Sequence, residues 1–183
     1  LNNIGNLLLI LSLILTILII YNSWLSIRSK TQSINLTIFK LALWQITFTV
    51  LCFFSLLIGF ILSDFSLSTV YENSHTTKPL FYKIVGAWGN HEGSLLLWVN
   101  IFVIFSYLFL IFNAKINKNY VLYTLFFQNI LILGFLIFLI IDSNPFYRIY
   151  PIPLEGLGLN PILQDPALAI HPPLLYIGFV GSS

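Results

Sequence analysis

The chain has 183 residues, of which 58% are hydrophobic and 8% are charged. Soluble domains carry roughly 25% charged residues, so this composition excludes a water-soluble globular protein and indicates a membrane protein. The net charge of +2 is too small for a nucleic-acid-binding protein, and the single cysteine, Cys52, excludes an intrachain disulfide.

Four apolar segments are long enough to cross a bilayer, because a helix needs about 20 residues to span ~30 Å of hydrocarbon. None of the four contains Asp, Glu, Lys, Arg or His. A fifth segment begins at Pro172 or Pro173 and is cut off at Ser183. The predicted fold is an all-α integral membrane protein forming one membrane domain over residues 1–183, with four complete transmembrane helices and the start of a fifth. The four complete spans are predicted at about 4–27, 41–62, 95–112 and 121–141.

The charges in the connections orient this bundle. The two short connections, 28–40 and 113–120, are basic and contain no acid, whereas 63–94 and 142–173 contain all six acids. The positive-inside rule places the basic connections in the cytoplasm or mitochondrial matrix, so both long connections are predicted to be structured outer loops. Spans without charge fit poorly with a proton-translocating subunit, and any chemistry is expected in the outer loops. The basic residues of the inner loops are Arg28, Lys30, Lys40, Lys115 and Lys118.

The first outer loop closes with the sequence PLFYKIVGAWGNHEGSLLLW, residues 79–98. Its apolar residues predict a short segment in the membrane interface. Asn90 is a good N-cap for the third span, and Glu92 suits the positive end of that helix. A zinc site needs three or four ligands, and the pair His91-Glu92 falls short of that number.

The second outer loop is rich in proline and contains two pairs that favour helix starts, Asn160-Pro161 and Asp165-Pro166. We therefore predict two short helical turns. Because a residue before proline is disfavoured in helical geometry, the second turn is predicted to end at about His171, with the fifth span starting at the next proline. His171 would then be held between two rigid elements at the outer membrane surface, where a lone histidine suits a structural role as well as a ligand role.

Several motifs together resemble one family. These are SDFSLSTVYENS (63–74), WGNHEGSLLLWV (88–99), SNPF (143–146) and LNPILQDPALAIHPPLLYIGFVG (159–181). In this combination they are similar to the N-terminal part of the CcmF-type cytochrome c haem lyases of bacteria and some mitochondria. The similarity extends over essentially the whole chain, in register with the predicted spans.

The resemblance implies an all-helical membrane protein that helps hold haem b, its substrate, on the outer face for thioether attachment to the CxxCH site of apocytochrome c. His171, in HPPLLY, corresponds to one of two outer axial ligands of the haem iron. The resemblance assigns no catalytic residue within this chain, and it makes His75 an ordinary loop residue. Possible propionate contacts are Arg148 and Lys83, and residues expected to support the haem chamber are Trp88, His91 and Glu92.

The chain departs from the family pattern in one loop and lacks several later motifs. Where the family commonly reads EGRDLNP, residues 155–161 read EGLGLNP. The tryptophan-rich haem-cover motif and the second outer histidine are absent. We therefore expect an N-terminal part, such as that of a split mitochondrial form, which is completed by a C-terminal polypeptide and is inactive alone. Further expected partners are a haem chaperone, apocytochrome c and the lipid bilayer.

Two cellular settings are compatible with this sequence. Phe, Ile, Asn and Leu are plentiful in the chain, whereas Ala and Arg are scarce. This bias resembles that of an AT-rich organellar genome and favours the mitochondrial inner membrane, with the outer loops facing the intermembrane space. The alternative is a bacterial inner membrane, with those loops in the periplasm.

A different functional class remains open. The chain could be a non-catalytic structural subunit of a larger membrane assembly, such as a respiratory complex, with no haem of its own. The surroundings of His171 discriminate between the two functions, because a haem ligand needs open space beside its ring.

Overall fold

The computed structural model describes residues 2–29 and 34–182. Within them the chain is nearly all helical, and four helices are long and apolar enough to cross a membrane, which confirms the predicted fold class. The four long helices are α1 (Asn2–Arg28), α2 (Leu36–Leu62), α5 (His91–Asn113) and α6 (Lys118–Ile141). The shorter ones are α3 (Ser68–Asn73), α4 (Leu80–Gly86), a 3₁₀ helix (Pro161–Gln164) and α7 (Pro166–Gly181).

The helix ends follow local capping rules. As predicted, the Asn90 side chain accepts a hydrogen bond from the Gly93 N–H at 2.7 Å and starts α5. The start of α2 differs from the prediction, since this helix begins at Leu36 and places Lys40 within a helix rather than in the inner loop. Lys30 lies outside the described residues.

Inside the bilayer region, α1 packs on α2 and α6, and α5 packs on α2, α6 and α7. One polar contact joins three of these helices: Gln45 donates to the Thr16 hydroxyl at 2.7 Å and to the Asn129 side-chain oxygen at 2.9 Å. All three side chains are buried. Such uncharged contacts typically join neighbouring helices in a membrane, so this cluster fixes how α1, α2 and α6 meet.

The two predicted outer loops lie at the same end of the bundle and pair with each other. The Ser68 N–H donates to the Tyr147 carbonyl at 2.9 Å, and the Ile149 N–H donates to the Ser66 carbonyl at 3.1 Å. These bonds flank an isolated antiparallel bridge between Leu67 and Arg148. The loops therefore form one layer over one end of the long helices.

The Glu155 carboxylate joins the two loops at a second point. Glu155 accepts from the Thr76 N–H at 3.0 Å and from the Thr76 hydroxyl at 2.6 Å. The hydrogen bond from the Thr76 hydroxyl, helped by the one from its backbone N–H, lowers the pKa of Glu155 below its ordinary value. The contact consequently favours the ionised carboxylate and weakens only when acidic conditions protonate it.

The SNPF segment is seated on the first helix. The fully buried ring of Phe146 lies against Gly5 so closely that a Cβ at Gly5 would overlap it. Beside this contact, the Asn144 side-chain amide donates to Asn6 at 2.8 Å. The glycine thus provides a notch in α1 for an aromatic ring from the second outer loop.

The course of α7 corrects one prediction. The helix does not end at His171 but continues from Pro166 to Gly181 with Pro172 and Pro173 inside it, so His171 is a helical residue and not a junction. Pro173 lacks the N–H that would bond to the Ala169 carbonyl four residues earlier. The indole N–H of Trp88 donates to that carbonyl at 2.9 Å instead, and this replacement bond lets the helix pass through the proline pair.

We predict that Gln45→Leu destabilises the bundle by about 1 kcal/mol, because it removes two interhelical hydrogen bonds within the bilayer. The measurement is the thermal unfolding midpoint of the detergent-solubilised protein. Thr47→Val is the control, since the Thr47 hydroxyl bonds to the Leu43 carbonyl of its own helix. Equal midpoints for the two variants would contradict the structural role given to Gln45.

We also predict that Gly93→Ala destabilises the protein by about 2 kcal/mol or more. A Cβ at Gly93 would overlap the backbone carbonyl of Ala87, which cannot move without shifting the turn between α4 and α5. Gly134→Ala is the matched control, because open space surrounds that position and alanine favours helix by ~1 kcal/mol over glycine. The unfolding midpoint should fall for the first variant and hold or rise for the second.

Candidate functional site

The candidate site is built on a small apolar cluster that joins α4, the 3₁₀ helix and α7. Val85, Leu159 and Ala169 are its buried members. Partly buried side chains of α4 and the following turn, with one from the 3₁₀ helix, close around them; these are Tyr82, Trp88 and Leu163. The cluster fixes the start of α7 against the first outer loop.

Local sequence rules position the start of α7 within this cluster. Asp165 accepts hydrogen bonds from the N–H groups of Ala167 and Leu168 at 2.8 and 3.2 Å, and Pro166 follows at the first helical position. Asn160 caps the 3₁₀ helix in the same way through the Ile162 N–H. Both predicted helix starts are therefore present.

His171 lies on the second turn of α7, on the side that faces away from the rest of the bundle. Its residue is exposed, and within the described part of the chain no hydrogen bond to its ring is present. Leu174 and Leu175, one turn further along the same face, are also exposed, at 62% and 51%. The imidazole thus has a free side above an open apolar surface.

His91 occupies a different position, at the first residue of α5. Its Nε2 atom lies 3.1 Å from the Ser143 hydroxyl, and its ring meets Phe138 edge-on at 6.1 Å between centroids. His91 and Trp88 line the same open pocket of about 300 Å³, which Pro172 closes on the α7 side. The structure therefore brings these two predicted support residues together beside α7.

Glu92 lines a different pocket. That pocket has a volume of about 460 Å³ and lies between α3, the start of α5 and the end of α6. Glu72 and Asp142 line it together with Glu92. The neighbours His91 and Glu92 consequently serve two separate surfaces.

The two predicted propionate contacts both adjoin the turn between α2 and α3. The Lys83 ammonium donates to the Ser63 hydroxyl at 2.8 Å. Arg148 is exposed, bridges to Leu67 through its backbone and donates to the Tyr150 hydroxyl at 3.2 Å. Of the two cations, the Arg148 guanidinium is the more accessible.

Among the side chains of this region, the His171 imidazole is placed where it can contact a ligand. Across residues 2–29 and 34–182, no group of three or more His, Cys, Asp or Glu residues is arranged to hold a metal ion. A neutral imidazole with an open side is a suitable axial ligand for haem iron. The exposed His171 meets that requirement.

Sequence reasoning missed three contacts at this site. They are the bond from the Tyr82 hydroxyl to the Gln164 carbonyl at 2.7 Å, the Trp88 bond to α7, and the pairing of His91 with Ser143. The proline pair carried a signal for the second, because a helix that contains proline leaves carbonyls in need of an outside donor. The others join residues distant in sequence and leave no local pattern.

Comparisons with known proteins identify the family of this chain. A family model described as cytochrome C assembly protein matches residues 88–183. The cytochrome c-type biogenesis protein CycK of Bradyrhizobium diazoefficiens is 48% identical over 142 residues, which are 78% of this chain and 22% of that protein. The cytochrome c-type biogenesis protein CcmF of Escherichia coli is 39% identical over 98% of this chain and 28% of its own length.

A solved structure of the cytochrome c heme lyase CcmF has the same fold. It superposes with a TM-score of 0.78 at 22% sequence identity, covering 98% of this chain and 28% of that one. The chain thus spans less than a third of the length of these relatives. The family match extends over the segment that contains Trp88, His91 and His171, and the chain belongs to the cytochrome c assembly protein family.

Proposed function

We propose that this chain is the N-terminal part of a CcmF-type cytochrome c haem lyase and helps hold haem on the outer membrane face. The observation that carries the proposal is the exposed, unbonded imidazole of His171 beside the layer of outer loops. Its family relatives are named as cytochrome c-type biogenesis proteins. Because those relatives are several times longer, we assign this chain a component of the lyase and not the complete activity.

The substrate haem is haem b, and His171 supplies one axial ligand to its iron. Bound in this way, the haem would present its two vinyl groups to the cysteines of a CxxCH site. Each thioether forms when a thiol adds across a vinyl double bond, the sulfur bonding to one carbon and the hydrogen to the other. The residues of this chain hold the haem, and none of them transfers a group.

The neighbouring residues have supporting roles in this proposal. Trp88 and His91 support the haem chamber from the other side of α7, because they line one pocket with Pro172, the residue that follows His171. Glu92 lies under the same layer in the adjacent polar pocket. Arg148 is the preferred propionate contact, since its guanidinium is exposed whereas the Lys83 ammonium is held by Ser63.

The proposal also includes partners and a location. A C-terminal polypeptide or segment supplies the tryptophan-rich motif and the second axial histidine, a haem chaperone delivers haem, and apocytochrome c receives it. The membrane is the mitochondrial inner membrane, with the chain as part of a split form, or a bacterial inner membrane. In both cases the layer of outer loops faces away from the compartment that contains the basic inner loops.

A structural subunit is the second candidate. It is favoured by the same α7 face, because the exposed Leu174 and Leu175 could pack against a neighbouring protein chain in a larger assembly, such as a respiratory complex. In that case His171 would lie at a protein contact and bind no haem.

We predict that His171→Ala removes haem from the intact membrane protein. Loss of an outer-shell partner of a metal ligand typically costs about 10–100-fold in affinity, so loss of the ligand itself should lower haem retention by at least ~100-fold. Absorption spectra of the purified protein measure the haem, and thioether-linked cytochrome c measures the activity.

His75→Ala is the control, because His75 lies in the first outer loop against Thr77 and Glu155, away from α7. If His171→Ala keeps its full haem content and matures cytochrome c normally, the proposal is wrong. The structural-subunit candidate would then be preferred.

We predict that Arg148→Ala weakens haem retention by roughly twofold to fivefold, the range expected for an exposed charge pair. Lys78→Ala makes the same charge change elsewhere in the outer loops and should have no effect. Titration of the purified protein with haem measures both variants. Identical dissociation constants for the two would exclude a propionate contact by Arg148.

A further inference from the structure

The proline pair in α7 leaves two backbone carbonyls close to His171 without their helical hydrogen-bond donors. Pro172 and Pro173 lack the N–H groups that would bond to the carbonyls of Leu168 and Ala169. Leu168 is exposed, whereas Ala169 is fully buried. A buried carbonyl without a donor is strongly disfavoured, so the Ala169 carbonyl needs a partner from outside the helix.

Trp88 supplies that partner from a fixed position. Its indole N–H donates to the Ala169 oxygen at 2.9 Å, and its own backbone N–H is bonded to the Val85 carbonyl at 3.1 Å. The indole ring packs against the apolar cluster formed by Val85, Leu159 and Ala169. The donor is therefore held in place by the turn that follows α4 and by the apolar cluster.

A second bond prevents α7 from rotating about this contact. The Tyr82 hydroxyl, on α4, donates to the Gln164 carbonyl at 2.7 Å. One bond thus lies just before the Asp165 cap and the other one turn inside the helix. Together they fix the position of the first turns of α7 relative to the first outer loop.

The geometry of the helix links this anchor to the imidazole. His171 follows Ala169 by two residues, which is ~200° around an α-helix. Ala169 therefore faces the anchor, and His171 faces the opposite side, where its residue is exposed. A rotation or bend of α7 at the proline pair would change the direction of the imidazole.

We infer that Trp88 is a positioning residue for His171, because its indole N–H replaces the N–H that Pro173 lacks and so sets the direction of the imidazole. This inference depends on the proposed function, in which His171 ligates haem. The inference assigns Trp88 more than a general support role, since its single hydrogen bond to the Ala169 carbonyl sets the direction of the His171 imidazole. The indole ring itself contributes packing that phenylalanine can largely provide.

The test is a double-mutant cycle in the haem-loaded membrane protein. Trp88→Phe keeps an aromatic ring and removes the N–H, whereas Pro173→Ala restores a backbone N–H that can bond to the Ala169 carbonyl. We expect Trp88→Phe to weaken haem binding by roughly tenfold. In the Pro173→Ala background the same substitution should weaken it by less than about twofold, because the carbonyl no longer needs the indole.

Two further measurements separate positioning from general stability. The electron paramagnetic resonance spectrum of the ferric haem reports the orientation of its axial ligands, and it should change in Trp88→Phe and return in the double variant. Amide hydrogen exchange in α7 of the haem-free protein should accelerate in Trp88→Phe alone. Exchange does not depend on haem and shows whether the helix itself has changed.

The outcomes are distinguishable from failure of the proposed function. If His171→Ala loses haem while Trp88→Phe keeps native affinity and spectrum, the positioning role is overturned and the proposed function stands. An equal loss from Trp88→Phe in both proline backgrounds also overturns it, because the effect would then arise from packing. Haem retention in His171→Ala overturns the proposed function itself.

Discussion

The organisation of the outer face depends on a backbone oxygen that its own helix cannot satisfy. In a low-dielectric environment an unpaired buried carbonyl is too costly to persist, and at Ala169 the following proline pair removes the normal donor. An indole from the first outer loop meets this need. The bond connects the first outer loop to α7, with two transmembrane helices between them in the sequence, and it explains how α7 remains helical beyond the prolines.

Other contacts also join the two outer loops to each other. The backbone bridge at Leu67 and Arg148 and the Glu155 carboxylate on Thr76 join the two loops at points away from α7. Below them, the cluster of Gln45, Thr16 and Asn129 fixes three helices without introducing a charge into the bilayer. In the described residues these three helices are thus joined by uncharged groups, whereas the carboxylate contact of Glu155 lies between the two loops.

Local rules were sufficient for much of this architecture. Apolar length located the four long helices, and the caps at Asn90, Asn160 and Asp165 were readable because each acts within three residues of its own position. The rule that a residue before proline leaves the helix failed at His171, because a donor 81 residues away in sequence from Ala169 outweighed it. The pairing of His91 with Ser143 was hidden for the same reason, since 52 residues separate them. The family resemblance identified His171, but the outward direction of that residue came from the packing of α7.

The packing of Phe146 against Gly5 has a consequence for the axial position of α1 in the bundle. A shift of α1 by one residue moves each side chain by about 1.5 Å along the axis and 100° around it. The ring would then meet Ile4 or Asn6, and neither leaves room for a phenyl group. The aromatic side chain therefore accepts one axial register of the first helix, and the second outer loop fixes that register from more than 130 residues away in the sequence.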